Sequence, residues 1–112
     1  MADLRLDLAN QIQMAGLGCE DVTVNEELLL FSGEQAICTV LGEETKIETF
    51  TPQNFKKVTR WLCRSGFAPS IASDKKTWMI VADTNRTNLR IAKALKAKYW
   101  RLCNGNSVNK KG

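Results

Sequence analysis

Basic side chains recur at helical spacing in two segments of this 112-residue chain. At about 100° per residue, the basic positions of each segment fall on one side of a helix and the apolar positions fall on the other. The two basic sides comprise Lys56, Lys57, Arg60 and Arg64 in the first segment, and Arg86, Arg90, Lys93, Lys96 and Arg101, with Trp100 beside them, in the second. Guanidinium and ammonium groups displace counterions from a phosphate backbone, and an adjacent indole can stack on a base. These ten residues are therefore the candidate nucleic-acid-binding residues.

The charge of the chain is divided between its two halves. Residues 1–50 hold ten acidic and two basic residues, a net charge of −8, whereas residues 51–112 hold two acidic and fourteen basic residues, a net charge of +12. Like charges four residues apart, such as Arg86 and Arg90, destabilise a helix by a few tenths of a kcal/mol. Two interpretations follow: the acidic half neutralises the basic sides, or the basic sides bind a polyanion.

We therefore predict a small non-enzymatic protein that binds nucleic acid, DNA or RNA, through a basic surface formed by two helices. Phosphate contacts alone do not imply sequence specificity. The alternative is an adaptor, an inhibitor or a chaperone-like homodimer that docks on an acidic protein partner.

A triplet of the form E-x-K, Glu44-Thr45-Lys46, follows Glu34 by ten residues. Together with the order helix, three strands, helix, strand, it resembles the core of restriction-type metal nucleases. The resemblance implies that Glu34, Glu44 and Lys46 bind Mg²⁺ and position a water. The competing interpretation places Glu44 at a solvated hairpin turn, and we prefer it.

Several other kinds of chemistry are excluded or disfavoured. The chain has no histidine, so histidine-based acid–base catalysis and catalytic triads are absent. Its four cysteines, Cys19, Cys38, Cys63 and Cys103, form no C-x-x-C pair, which favours reduced, packed thiols over a metal site. We expect neither a metal nor a cofactor. No secretory signal and no apolar run of membrane-spanning length is found, which predicts a cytoplasmic location without a membrane partner.

Helix caps and apolar runs predict one α+β domain over residues 1–105, with a flexible basic tail at 106–112. Thr51-Pro52 and Asp83-Thr84-Asn85 are helix starts, and Trp78 to Ala82 is an apolar strand. The predicted elements are a helix at 4–15, strands at 22–31, 36–41 and 46–50, a helix from 52 that ends at Ser65-Gly66, strands at 68–72 and 77–82, and a helix at 85–103. Because neighbouring strands form hairpins, the order α-β-β-β-α-β-β-α predicts an antiparallel sheet with the helices packed on one side.

The same element order is similar to that of type III secretion chaperones. This resemblance implies a homodimer that binds extended segments of a secreted protein. The interface would then use apolar side chains left over on the sheet, such as Leu28, Leu30, Ile37 and Ile47.

Overall fold

The computed structural model of the chain describes residues 4–25, 35–65 and 70–102. This part holds three helices and a six-stranded antiparallel sheet. The elements are α1 (Leu4–Met14), β1 (Glu20–Asn25), β2 (Gln35–Val40), β3 (Glu43–Thr49), α2 (Pro52–Ser65), β4 (Ser70–Ser73), β5 (Trp78–Val81), α3 (Asn85–Leu95) and β6 (Lys98–Arg101). The predicted α+β class, the antiparallel sheet and the order α-β-β-β-α-β-β-α are confirmed, and β6 is added after the last helix. The predicted tail at 106–112 lies outside the described residues.

The strands lie in the order β1-β2-β3-β5-β4-β6, and α1 and α3 cover one face of this sheet. Ile80 of β5 is in register with Ile47 on one side and with Ala72 on the other, so these side chains point to the same face. They pack with Ile12 of α1 and Ile91 of α3 in one fully buried cluster. This cluster is the larger of the two cores in the described part of the chain.

Helix α2 packs on the opposite face of the sheet. Its buried side chains, Phe55, Val58 and Leu62, form a second cluster with Ile71 of β4 and Met79 of β5. Adjacent residues of a strand point to opposite faces, so Met79 and its neighbour Ile80 belong to different cores. The expectation that all helices pack on one side is therefore wrong. The physical reason is that β5 carries apolar side chains on both faces, and both must be covered.

The chain beyond α3 departs from the prediction of a helix that runs to residue 103. Helix α3 ends at Leu95, because Lys96 adopts the left-handed conformation with φ 57° and the N–H of Ala97 bonds to Ala92 O at 2.8 Å. The next four residues form β6, which pairs with β4 along its whole length. This pairing supplies backbone hydrogen bonds that β4 would otherwise lack on that side.

A disulfide joins Cys19 to Cys38, so the prediction of reduced thiols is wrong for this pair. Gly16 and Gly18 both have positive φ, which turns the chain after α1 back onto β2 and leaves the two Cα atoms 5.1 Å apart. Both cysteines are buried in the core between α1 and the sheet. Cys63 is also disulfide-bonded, and no described cysteine is free.

A buried amide fixes α3 on the sheet. Asn88 is completely buried, and its Oδ1 accepts a hydrogen bond from the N–H of Ala82 at 2.6 Å. Its Nδ2 donates to Ser70 O at 3.2 Å, to Ser70 Oγ at 3.0 Å and to Ala82 O at 3.3 Å. One side chain thus links α3 to β4 and to the end of β5, and this orients the basic side of α3 away from the sheet.

Candidate nucleic-acid interface

Helix α2 presents four basic side chains to solvent. The helix begins where predicted, since the N–H of Asn54 donates to Thr51 Oγ1 at 3.2 Å and Pro52 is its first residue. Its apolar side is buried against the sheet, which leaves the opposite side exposed. We call the four exposed basic residues the α2 cationic face; they are Lys56, Lys57, Arg60 and Arg64. This part of the predicted surface lies together on one helix.

Helix α3 presents three basic side chains in the same way. Thr84 caps the helix by accepting a hydrogen bond from the N–H of Thr87 at 3.3 Å, and Ile91 and Ala92 are buried beneath it. We call the exposed residues of this helix the α3 cationic face; they are Arg86, Arg90 and Lys93. Lys96, predicted on the same stripe, is the exposed C-cap residue of the helix.

The structure does not place Trp100 and Arg101 on α3. Both belong to β6, where Arg101 is exposed and Trp100 is half-buried. Trp100 packs in the α2 core, with its ring stacked on Phe55 at a centroid distance of 6.2 Å. The Nζ atom of Lys75 lies over the indole, 4.7 Å from the ring centroid. Trp100 is therefore part of the packing beneath α2, on the other side of the sheet from α3.

The two cationic faces lie on opposite sides of the sheet, so the structure does not join them into one surface. Helix α2 and helix α3 pack on different faces, and each directs its basic side chains away from the sheet. Seven of the ten predicted residues therefore form two separate cationic faces, and Lys96, Trp100 and Arg101 lie outside them.

Neither face is neutralised by ion pairs in the described part of the chain. The ion pair found there joins Lys46 Nζ to Glu44 Oε1 at 3.5 Å, on β3. The α2 and α3 cationic faces have no such contact with a described carboxylate.

Glu43 lies close to the α3 cationic face, but its carboxylate is held by the start of the helix. Oε1 accepts a hydrogen bond from the N–H of Thr84 at 3.0 Å, and Oε2 accepts from Thr87 Oγ1 at 2.7 Å. Partial burial raises the pKa of Glu43, but the hydrogen bonds from Thr87 and Thr84 outweigh it, so the pKa lies below its ordinary value. A pocket of about 180 Å³ lies beside this carboxylate; it is lined by Leu41, Glu43, Arg86, Thr87 and Arg90.

Sequence reasoning missed three further basic residues near the β4–β5 turn, of which Lys75 contacts Trp100. Lys75 and Lys76 lie in the β4–β5 turn, and Lys98 pairs in register with Ser73 beside it. Asp74 organises the turn by accepting hydrogen bonds from the N–H groups of residues 76, 77 and 78. Burial raises the pKa of Asp74, but these bonds and that of Thr77 Oγ1 lower it below its ordinary value. The residues Asp74-Lys75-Lys76 indicate a turn in the sequence, but this turn lies beside Trp100 only because β6 pairs with β4.

The residues of the nuclease resemblance are only partly described. Glu44 and Lys46 lie in β3, so Glu44 is within the strand and not at a turn, and the two side chains pair with each other. Glu34 lies outside the described residues. Among the residues that are described, no cluster of three or more acidic or cysteine side chains could hold a metal ion.

The apolar residues that the chaperone resemblance assigns to an interface do not form one exposed surface in the described part of the chain. Ile47 is completely buried in the core under α1 and α3, so it cannot form a surface interface. Ile37 is half-buried and points to the α2 side, because it is in register with Lys46. Leu28 and Leu30 lie outside the described residues.

No family model, curated protein sequence or solved structure matches this chain. In the described ranges, no helix is long and apolar enough to cross a membrane.

Proposed function

We propose that this chain is a small non-enzymatic protein that binds nucleic acid by phosphate contacts from the α2 and α3 cationic faces. The observation that carries the proposal is that these seven basic side chains are exposed and form no ion pair with a described acidic residue. Such an arrangement leaves mutual repulsion within each helix, which a bound polyanion would relieve.

Helical packing gives the cationic faces a fixed shape. Phe55 and Leu62 hold α2 on the sheet, and Asn88 and Ile91 hold α3. The basic side chains are therefore displayed along rigid rods, on which they can follow a regularly charged backbone. Phosphate contacts position a protein without selecting a sequence, so the proposal is for binding with little sequence preference.

Trp100 has a different role in this proposal from the one its sequence position suggested. Its ring is occupied by Phe55 and Lys75, so base stacking would require these contacts to be broken. We assign binding to the charged groups alone, which act through counterion release.

The cytoplasmic location stays a prediction, and the Cys19–Cys38 disulfide counts against it. Cytosolic thiols are kept reduced, whereas disulfides persist in oxidising compartments. Because this bond is buried in the core, we infer a protein that folds under oxidising conditions.

The test is a fluorescence-anisotropy titration of labelled single- and double-stranded DNA and RNA. A variant with Lys57→Gln and Arg60→Gln removes two charges from the α2 cationic face without removing a buried group. If both residues contact phosphates, counterion release predicts that the affinity of the α2 cationic face itself falls by about 60-fold in 0.1 M salt, while the α3 cationic face keeps its own affinity. The matched control, Asn10→Asp with Gln11→Glu on exposed positions of α1, makes the same change in net charge on the other side of the sheet from the α2 cationic face.

Equal losses for the test variant and the control would contradict the proposal, because net charge alone would then explain them. Absence of binding by the wild type at low salt would also contradict it. In that case the cationic faces would be assigned to an acidic protein partner, the adaptor function of the alternative hypothesis.

A further inference from the structure

The two cationic faces point in opposite directions, and this limits how one molecule can contact nucleic acid. The molecule stacks α2, the sheet and α3 in three layers, with the basic side chains on the outside of both helices. A helix with its side chains is about 10–12 Å across, so the two faces are more than about 20 Å apart. The major groove of a duplex is only about 12 Å wide. One groove therefore cannot receive both faces.

Each face has the charge to hold a duplex separately, but only weakly. The α2 cationic face contributes four positive charges, at positions 56, 57, 60 and 64, and the α3 cationic face contributes three, at 86, 90 and 93. Non-specific binding through a few such contacts has a Kd of roughly 10⁻⁴–10⁻⁶ M at physiological salt. Two weak faces on one rigid body act as a bivalent binder when both are engaged.

Glu43, which lines a pocket together with Arg86 and Arg90, does not neutralise the α3 cationic face. The carboxylate of Glu43 is held by Thr84 and Thr87, and it forms no ion pair with Arg86 or Arg90 in the described part of the chain. On the α2 side, Glu44 pairs with Lys46 on the sheet and not with the helix. Both faces thus present positive charge outward.

From this opposition of two charged faces we infer that one molecule bridges two nucleic-acid duplexes, with α2 on one duplex and α3 on the other. The inference rests on the proposed function and extends it from binding to crosslinking. The occupant of each face is a duplex because a rigid, regularly charged rod matches an exposed helix side, and because a stiff duplex cannot wrap around the sheet to reach both faces.

The test is a capture assay in which one duplex is fixed to beads and a second, fluorescent duplex of the same sequence is added with the protein. The wild type is expected to retain the fluorescent duplex on the beads. Variants with Lys57→Gln and Arg60→Gln, or with Arg86→Gln and Arg90→Gln, are each expected to bind the fixed duplex but to capture at least tenfold less of the second. The combined variant is expected to bind neither duplex. Asn10→Asp with Gln11→Glu is the charge-matched control for the α2 variant, because α1 lies on the other face of the sheet from α2.

The outcomes separate the inference from the function on which it rests. Binding to the fixed duplex without capture of the second would overturn bridging and leave nucleic-acid binding intact. Absence of binding to the fixed duplex would overturn both. Bridging by a homodimer, with one cationic face of each subunit on a duplex, would give a different pattern. One of the two-residue variants would then lose all duplex binding and the other would keep full capture of the second duplex. This result would also overturn the inference. Sedimentation of the same samples identifies that dimer independently.

Discussion

Replacement of Asn88 by alanine tests the packing that fixes α3. The side chain is completely buried and makes hydrogen bonds to Ser70 and to both backbone groups of Ala82. The substitution leaves the N–H of Ala82 without its partner, which costs about 1–3 kcal/mol, and the other bonds contribute about 0.5–1.5 kcal/mol each. The better helix propensity of alanine returns at most about 0.7 kcal/mol. We therefore expect the free energy of unfolding to fall by about 3 kcal/mol.

The assay is urea denaturation, followed by tryptophan fluorescence and circular dichroism, with thermal melting as a second measurement. A loss of this size lowers Tm by about 12 °C for a domain of about 100 residues. The matched control is Asn10→Ala on the exposed side of α1, which should change stability by less than about 0.5 kcal/mol. Asn88→Asp should destabilise the protein more at neutral pH than near pH 4, because a buried carboxylate resists ionisation. An Asn88→Ala protein within about 1 kcal/mol of the wild type would refute the hydrogen-bond reasoning.

Three further predictions concern the start of α3, the disulfide between the α1 turn and β2, and the α2 core. Glu43→Gln should lower the free energy of unfolding at pH 7 by about 1 kcal/mol. The folded pKa of Glu43 lies below its ordinary value of 4.5, so the carboxylate stabilises the fold above that pH and loses this effect as the pH falls through the folded value. The stabilities of wild type and variant should therefore approach each other as the pH is lowered below 4.5 in denaturation experiments. Replacing Cys19 and Cys38 by alanine should lower stability by about 3 kcal/mol, since the bond closes a loop with a sequence separation of 19; an unchanged urea midpoint would contradict this. Phe55→Ala should cost about 3–5 kcal/mol and expose Trp100, seen as a red shift of its emission, and an unshifted spectrum would count against the α2 core.

The starts of α2 and α3 could be predicted because the signals are local. Thr51 and Thr84 accept hydrogen bonds from backbone N–H groups three residues later, which is the capping interaction their types and positions indicate. The apolar positions that follow them repeat at helical spacing and are buried. The basic side chains between these positions are exposed for the same reason, so both cationic faces could be derived from sequence.

The end of α3 could not be predicted in this way. No glycine marks it, and Lys96 takes the left-handed conformation that a glycine usually supplies. Trp100 and Arg101 continue the helical pattern by chance, whereas their actual structure is decided by pairing with Ile71 and Ser70, about thirty residues earlier. Such non-local hydrogen bonding leaves no periodic signal in the strand itself.

The position of α2 on the other face was partly visible in the sequence. Met79, Ile80 and Val81 form a continuous apolar run, which is typical of a strand covered on both faces. The expectation that helices cover only one face of the sheet also placed α2 and α3 side by side, and this predicted a single basic surface formed by both helices. The Cys19–Cys38 bond, in contrast, depends on how the turn after α1 returns to β2, and the spacing of the cysteines does not reveal that.

The most direct test of the central claim is the salt dependence of duplex binding by the wild type and by the Lys57→Gln, Arg60→Gln variant. The account predicts that log K falls linearly with log salt concentration for both proteins. It also predicts a slope that is shallower for the variant by about 1, because the duplex is then held by the three charges of the α3 cationic face in place of the four of the α2 cationic face. A wild-type affinity independent of salt, or equal slopes for the two proteins, would contradict phosphate contact by the α2 cationic face.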